Sequence, residues 1–142
     1  MKKKIFAIIG KPLSHSLSPV LHNYWFKKYN IEANYEAFEI NDRDIEKVLE
    51  KIKKRELSGI NVTLPYKQKV IPYLSKMIND AKLTNSVNTI FLDHNDNLVG
   101  DNTDVFGLQA AYLKNLSLLD NSLVKALILG AGGVAPSIIN AL

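Results

Sequence analysis

Cysteine is absent from the 142 residues, which excludes disulfides, thiolate metal sites and any redox role for the chain's own sulfur. Long apolar runs are missing too. Nothing approaches the ~20 residues that span a bilayer, and the opening MKKKIFAIIGKP lacks the apolar stretch of a secretory signal. The expectation is a cytoplasmic protein without a membrane partner. Histidine is scarce: His15, His22 and His94 are scattered and no carboxylate cluster accompanies them, so no metal is expected. His15 could steer the serines beside it, but a structural histidine is the preferred reading. Internal repeats and low-complexity tracts are lacking.

What is present suits one ordinary core and is too little for two full domains: 142 residues, 46% of them apolar and 23% charged. The net charge of +4 comes almost wholly from lysine, with Lys2 to Lys4 at the amino end and Lys51, Lys53, Lys54 and Arg55 as a second cluster. These bases alternate with Glu46, Glu50 and Glu56 and have no stacking aromatics. They read as a solvated helix face, so no nucleic-acid partner is expected.

Ile5 to Ile9 reads as a buried strand ending at Gly10, followed by turn composition to Ser18. Ser18-Pro19 fits a helix cap followed by proline at the first helical position, with Val20, Leu21, Tyr24 and Trp25 at helical spacing. Residues 33–40 suggest a strand, and Asn41 or Asp42 can cap a helix whose inward stripe is Ile45, Val48, Leu49 and Ile52. Ile60 to Leu64 suggests a strand closed by Pro65, then a helix holding Val70, Ile71 and Leu74 with Pro72 near its start. Ser86 to Leu92 and Leu98 to Gly100 flank a polar turn as a hairpin. A helix over 104–116 carries Leu108, Ala111, Tyr112 and Leu116 on one stripe, with Asp104 at its amino end. Strands alternating with helices predict an α/β fold, a mainly parallel sheet flanked by helices.

At Val124 the pattern restarts. Val124 to Leu129 is a strand candidate running into Gly130-Ala131-Gly132-Gly133-Val134-Ala135, after which Ile138, Ile139 and Leu142 form a helix face. This is G-x-G-x-x-A in strand–turn–helix context, where glycines let the backbone approach a pyrophosphate; a glycine-rich turn that merely packs is the other reading. The chain ends seven residues after Ala135, whereas a βαβ unit needs ~30 residues. The expectation is a fragment: a substrate domain over 1–116, then over 117–142 the first strand and glycine turn of an incomplete Rossmann-type domain. Such a chain is not expected to hold a dinucleotide tightly or to act as an enzyme alone.

Polar residues gather where strands are expected to end, as ligand sites do in open α/β sheets. They lie in His15-Ser16-Leu17-Ser18-Pro19, Asn61-Val62-Thr63-Leu64-Pro65-Tyr66-Lys67, Ser86-Val87-Asn88-Thr89 and Gly100-Asp101-Asn102-Thr103-Asp104. Ser16 and Ser18 beside a helix start can donate hydrogen bonds to a carboxylate; equally, Ser18 can simply cap its helix. Lys67 and Asp104 are the pair with catalytic chemistry, because a carbonyl receiving hydride needs a proton donor within hydrogen-bond reach. The residues alone favour a surface lysine and a helix-cap aspartate over that pair. Asn61, Thr63, Asn88 and Thr103 could bind ligand hydroxyls or satisfy loop backbone.

In this order and spacing, HSLSP, NVTLPYK, VNT, GDNTD and GAGG resemble the shikimate dehydrogenase family over nearly the whole chain. The resemblance implies NADPH-dependent, reversible reduction of 3-dehydroshikimate to shikimate in aromatic amino-acid biosynthesis. It implies that Ser16 and Ser18 bind the substrate carboxylate, that Thr63, Asn88 and Asp104 contact ring hydroxyls with Asn61 supporting them, and that Lys67 handles the proton. Gly130 to Gly133, with Val134 and Ala135, would lie beside the NADP pyrophosphate. Asn85-Ser86 precede VNT where the family commonly has Gly-Ala, and Val105-Phe106 follow DNTD where it usually has glycine first. A quinate/shikimate dehydrogenase is a close alternative, against which Asp101 leans; a non-catalytic module binding a shikimate-like acid is another. The quaternary expectation is a monomer or a homodimer.

Overall fold

The apolar run Ala7, Ile8 and Ile9 has neighbours to pair with on both sides. The computed structural model, which describes residues 3–113 and 126–142, sets it in β1 (Lys4–Gly10), between β2 (Ala33–Glu39) and β3 (Gly59–Val62), parallel to both. The hairpin β5 (Thr89–Leu92) and β6 (Leu98–Asp101) adds on antiparallel to β3, and the two-residue β4 (Lys76–Met77) pairs parallel with β6. The order is β2-β1-β3-β5-β6-β4. Three ladders are parallel and two, those of the hairpin, antiparallel, so the sheet is mixed within an α/β frame.

Helix α2 (Ile45–Lys53) forms as its pattern predicts. Asn41 and Asp44 make a reciprocal capping box around a single 3-10 turn, and Ile45, Val48, Leu49 and Ile52 are buried against Ile9, Ile60 and Val62. Each such side chain contributes about 1.5–3 kcal/mol on burial.

Helix α1 (Ser18–Lys28) differs from expectation in two ways. It starts one residue early: Ser18 is already helical, Leu17 is the N-cap without a side-chain bond, and Ser16 Oγ accepts the Ser18 backbone N–H at 3.4 Å. Its stripe Val20, Leu21, Tyr24 and Trp25 faces outward, with Trp25 stacked on Tyr29 and Lys28 Nζ 4.8 Å from the Trp25 ring. The inward face is His22, Asn23 and Phe26. His22 stacks on Tyr35 at 4.2 Å, Phe26 meets Phe6 at 5.8 Å, and Asn23 bonds both backbone groups of Tyr35, Nδ2 to its carbonyl at 2.8 Å and Oδ1 from its N–H at 2.9 Å. The edge strand offered polar backbone as well as apolar surface, and the mixed face matched it.

Burial holds the His22 imidazole below its ordinary pKa. A base depressed in this way binds its proton more readily unfolded, so its contribution to stability is complete above about pH 6.5 and is lost as pH falls below it. Urea unfolding of His22→Gln should therefore show a shallower rise in stability between about pH 5 and 7 than the parent chain; equal slopes would contradict this.

Three further expectations are corrected. Instead of a helix after Pro65, the chain makes turns and one 3-10 turn (Ile71–Tyr73) around Pro72, whose missing N–H suits only a first turn; β4 and α3 (Asp80–Thr84) then follow. The helix at Asp104 is α4 (Asp104–Leu108), widening into a π-helical turn over Gln109–Leu113. Ala126 to Leu129 form no strand, join no ladder of the sheet and leave Leu127 and Leu129 exposed. The glycine turn does lead into a helix, α5 (Ala135–Ala141), with Pro136 in its first turn. Leu116, Val124 and the expected boundary between 116 and 117 lie outside the described residues.

Candidate active site

Strand directions bring the polar segments to one side. β1, β3 and β6 end there and the antiparallel β5 begins there, so the residues after Gly10, Val62 and Asp101 and those before Thr89 share one sheet edge. The first two segments are also tied directly: Thr63 N–H donates to the Ile9 carbonyl at 2.9 Å and Lys11 N–H to the Leu64 carbonyl at 2.9 Å. Gly10 permits this closeness. A Cβ there would run into the Thr63 methyl and stand 3.1 Å from the Leu64 carbonyl oxygen. Leu13 N–H donates to Glu39 Oε2 at 3.0 Å, anchoring the start of the serine loop.

Lys67 is not a surface lysine. Its side chain is 8% exposed, and Nζ donates to Asp104 Oδ2 at 2.7 Å, with the carboxylate 25% exposed. Asp104 opens α4 but spends its side chain on this pair; its other oxygen accepts from Asn88 Nδ2 at 2.9 Å. Asn88 also donates to Thr103 Oγ1 at 2.9 Å, and its Oδ1 accepts from Thr103 N–H at 3.1 Å and Thr89 Oγ1 at 2.8 Å. Asn61 lies behind it: Nδ2 donates to the Asn88 carbonyl and to Thr89 Oγ1, both at 3.2 Å, while Oδ1 accepts the Tyr35 hydroxyl at 2.6 Å. Burial pushes the Tyr35 phenol far above its ordinary pKa, so it remains a donor. Asn61 is thus a brace whose amide is already occupied.

Ser16, Ser18 and Thr63 are half-buried at the same edge. Asp101 is turned away, accepting from Asn79 Nδ2 at 3.2 Å and from Asn102 N–H at 2.8 Å. Asn85 is left-handed, φ 48°, at the place where the resembled family commonly has glycine, a conformation that asparagine tolerates. His15 is exposed, and among the described residues no group of three or more His, Asp and Glu side chains converges on a metal position.

The glycine turn closes against this site. Gly130 has φ 112°; Gly133 accepts from Ser86 Oγ at 2.9 Å and lies so close to Lys67 that an added Cβ would stand 3.8 Å from the Lys67 Cβ. A Cβ on Gly130 or Gly132 would meet nothing within 4 Å, so that backbone is open to a ligand. Leu64, Gly130 and Val134 border a cavity of about 220 Å³. Ala131 is exposed and Ala135 N–H closes the turn on the Gly132 carbonyl at 3.0 Å. The sequence marked Ser86 only as a departure from the family pattern and did not single out Tyr35, Asn102 or Ser137. Asn102 and Ser86 stood inside or beside quoted motifs, whereas Tyr35 and Ser137 carried no signal in the sequence.

Fold and site together define an α/β domain that gathers an ammonium–carboxylate pair, braced amides and hydroxyls at one sheet edge, the layout of a small polar-ligand binder. Residues 8–90 match the family model described as shikimate dehydrogenase substrate binding domain, and the chain belongs to that family. It is 46% identical over 140 residues to the shikimate dehydrogenase (NADP(+)) of Pelagibacter ubique, covering 99% of this chain and 52% of that protein. It superimposes on shikimate dehydrogenase 1 of Peptoclostridium difficile with TM-score 0.86 at 38% identity, covering 97% of this chain and 50% of that one. The enzyme of Thermus thermophilus, solved with NADP(H) and shikimate, aligns with TM-score 0.80 at 30% identity, covering 97% and 51%. The chain therefore spans about half the length of the curated relatives it matches. No helix among the described residues is long and apolar enough to cross a membrane.

Proposed function

We propose that this chain is the shikimate-binding part of an NADP-dependent shikimate dehydrogenase, with residues 1–116 as substrate domain and 117–142 as the start of the NADP-binding domain. The observation that carries this reading is the Lys67–Asp104 pair, 2.7 Å apart, held by Asn88 at the sheet edge where Ser16, Ser18 and Thr63 also lie. The hydroxyls of Ser16 and Ser18 donate to the substrate carboxylate. Thr63, Asn88 and Asp104 receive the ring hydroxyls, and Asn61 keeps Asn88 in place.

NADP, when bound, supplies or accepts the hydride. The residues that would meet its pyrophosphate are Gly130 to Ala135, whose open backbone fits that role. In the reductive direction, oxygen charge develops on the carbonyl of 3-dehydroshikimate; Lys67 Nζ stabilises it and delivers the proton. Asp104 Oδ2 keeps Nζ directed at that oxygen, and the buried stem of Lys67 limits its rotamers.

Calorimetric titration of this chain with shikimate tests the binding half of the proposal. Saturable binding is expected, weakened about tenfold or more by Ser16→Ala, since a hydrogen bond to a charged group is lost. Unchanged affinity in Ser16→Ala, or no heat from a folded chain, would count against the proposed pocket. A quinate enzyme would bind quinate as tightly as shikimate in the same cell.

A further inference from the structure

Asn102 is 3% exposed and its amide is engaged at both ends. Nδ2 stands 3.0 Å from Thr84 Oγ1, 2.9 Å from the Ser86 carbonyl and 3.0 Å from Ser137 Oγ. Oδ1 accepts the backbone N–H of Asp104 at 2.8 Å. Ser137 belongs to α5 and is 1% exposed; Ser86 is fully buried and bonds the glycine turn through Gly133. A single planar group therefore contacts the helix behind the glycine turn with one end and the residue carrying the site's carboxylate with the other. Because the amide is rigid, a tilt forced at Nδ2 turns Oδ1 with it.

We propose that Asn102 is a positioning residue that makes the placement of Asp104 depend on the docking of α5, and so links the cofactor turn to the proton-handling pair. The inference rests on the shikimate-site reading and deepens it. Nδ2 has two hydrogens for three acceptors, so losing Ser137 alone leaves both hydrogens partnered and the fold intact. What changes is the direction in which the amide is pulled. When α5 sits in place, Ser137 draws Nδ2 toward the turn and Oδ1 stays aligned with the Asp104 N–H; when α5 lifts, the corner at Thr103 relaxes and Asp104 Oδ2 drifts from Lys67 Nζ.

The test uses the 142-residue chain, nitrogen-15 labelled, with the Asp104 amide resonance read without ligand and shikimate affinity measured by calorimetry. Ser137→Ala should shift the Asp104 amide and weaken shikimate binding about threefold, a fraction of the worth of one hydrogen bond, since the amide is re-aimed rather than orphaned. In an Asn102→Ala background, Ser137→Ala should have no further effect on either readout, as required of two residues acting along one path. An unmoved Asp104 amide in Ser137→Ala, or the same shift persisting without Asn102, would overturn the proposal. Should Asn102→Ala fail to fold, Ser137→Ala decides alone. Should the parent chain not bind shikimate, the ligand reading fails while the ligand-free amide still decides the coupling.

Discussion

Replacing Asp104 with alanine is expected to destabilise the chain by about 2–3 kcal/mol and to abolish measurable shikimate binding. The ammonium of Lys67, its side chain 8% exposed, would lose the only carboxylate within salt-bridge distance among the described residues and be left buried. Breaking a fully buried pair costs about 3–5 kcal/mol; the value here is lower because the carboxylate keeps a quarter of its surface in solvent. The reverse change is milder. In Lys67→Met the carboxylate retains Asn88 Nδ2 and water, and the apolar stem still fills its channel beside Gly133. Urea unfolding should place Lys67→Met within about 1 kcal/mol of the parent, the pattern of ion pairs whose isosteric replacement is tolerated, although it cannot deliver a proton. Equal losses in the two variants would show that the pair is not buried as the distances imply.

Asn88→Ala is expected to cost about 2 kcal/mol, because a buried amide is removed and its half-buried partners Thr89 and Asp104, with the exposed Thr103, lose their bonds together. Thr103 N–H loses its acceptor, Asp104 Oδ1 loses its donor, and the Thr89 hydroxyl loses the oxygen 2.8 Å away. The carboxylate then swings free of the position in which it directs Lys67. Thermal or urea unfolding paired with shikimate calorimetry checks both parts. A variant that unfolds like the parent would mean that water takes over the amide's bonds, and binding retained in such a variant would remove Asn88 from the site.

The two helices of the sheet faces show what periodicity reveals. For α2, the stripe Ile45, Val48, Leu49 and Ile52 was legible because it is purely apolar and its opposite face is purely charged, leaving one way to dock. For α1, the stripe Val20, Leu21, Tyr24 and Trp25 is as regular, yet it faces out. Periodicity says that a helix has a face, not which face its neighbour accepts, and β2 accepted the one carrying an amide for its edge. The candidate site was legible for a different reason: Ser16, Asn61, Thr63, Lys67, Asn88 and Asp104 stand in dense polar motifs at strand ends. What stayed hidden were the residues that act through others. Tyr35 looks like any strand aromatic, and Ser137 like any small helix residue, until the fold sets them against partners 26 and 35 positions away. The apolar content of Val124 to Leu129 predicts a strand, yet its described part, Ala126 to Leu129, joins no ladder, because apolar content alone does not make a strand without a paired neighbour.

Asn23 has a consequence at the rim of the sheet. β2 is the outermost strand on its side, seven residues long, and an open strand of that length is a template for unwanted association. By filling the donor and acceptor of Tyr35 at mid-strand, a single side chain of α1 stands where an invading chain would place its own peptide group. The rim is thereby interrupted at mid-strand, one of the ways in which folded proteins keep an open edge from pairing, so α1 blocks part of the sheet's edge as well as covering its face.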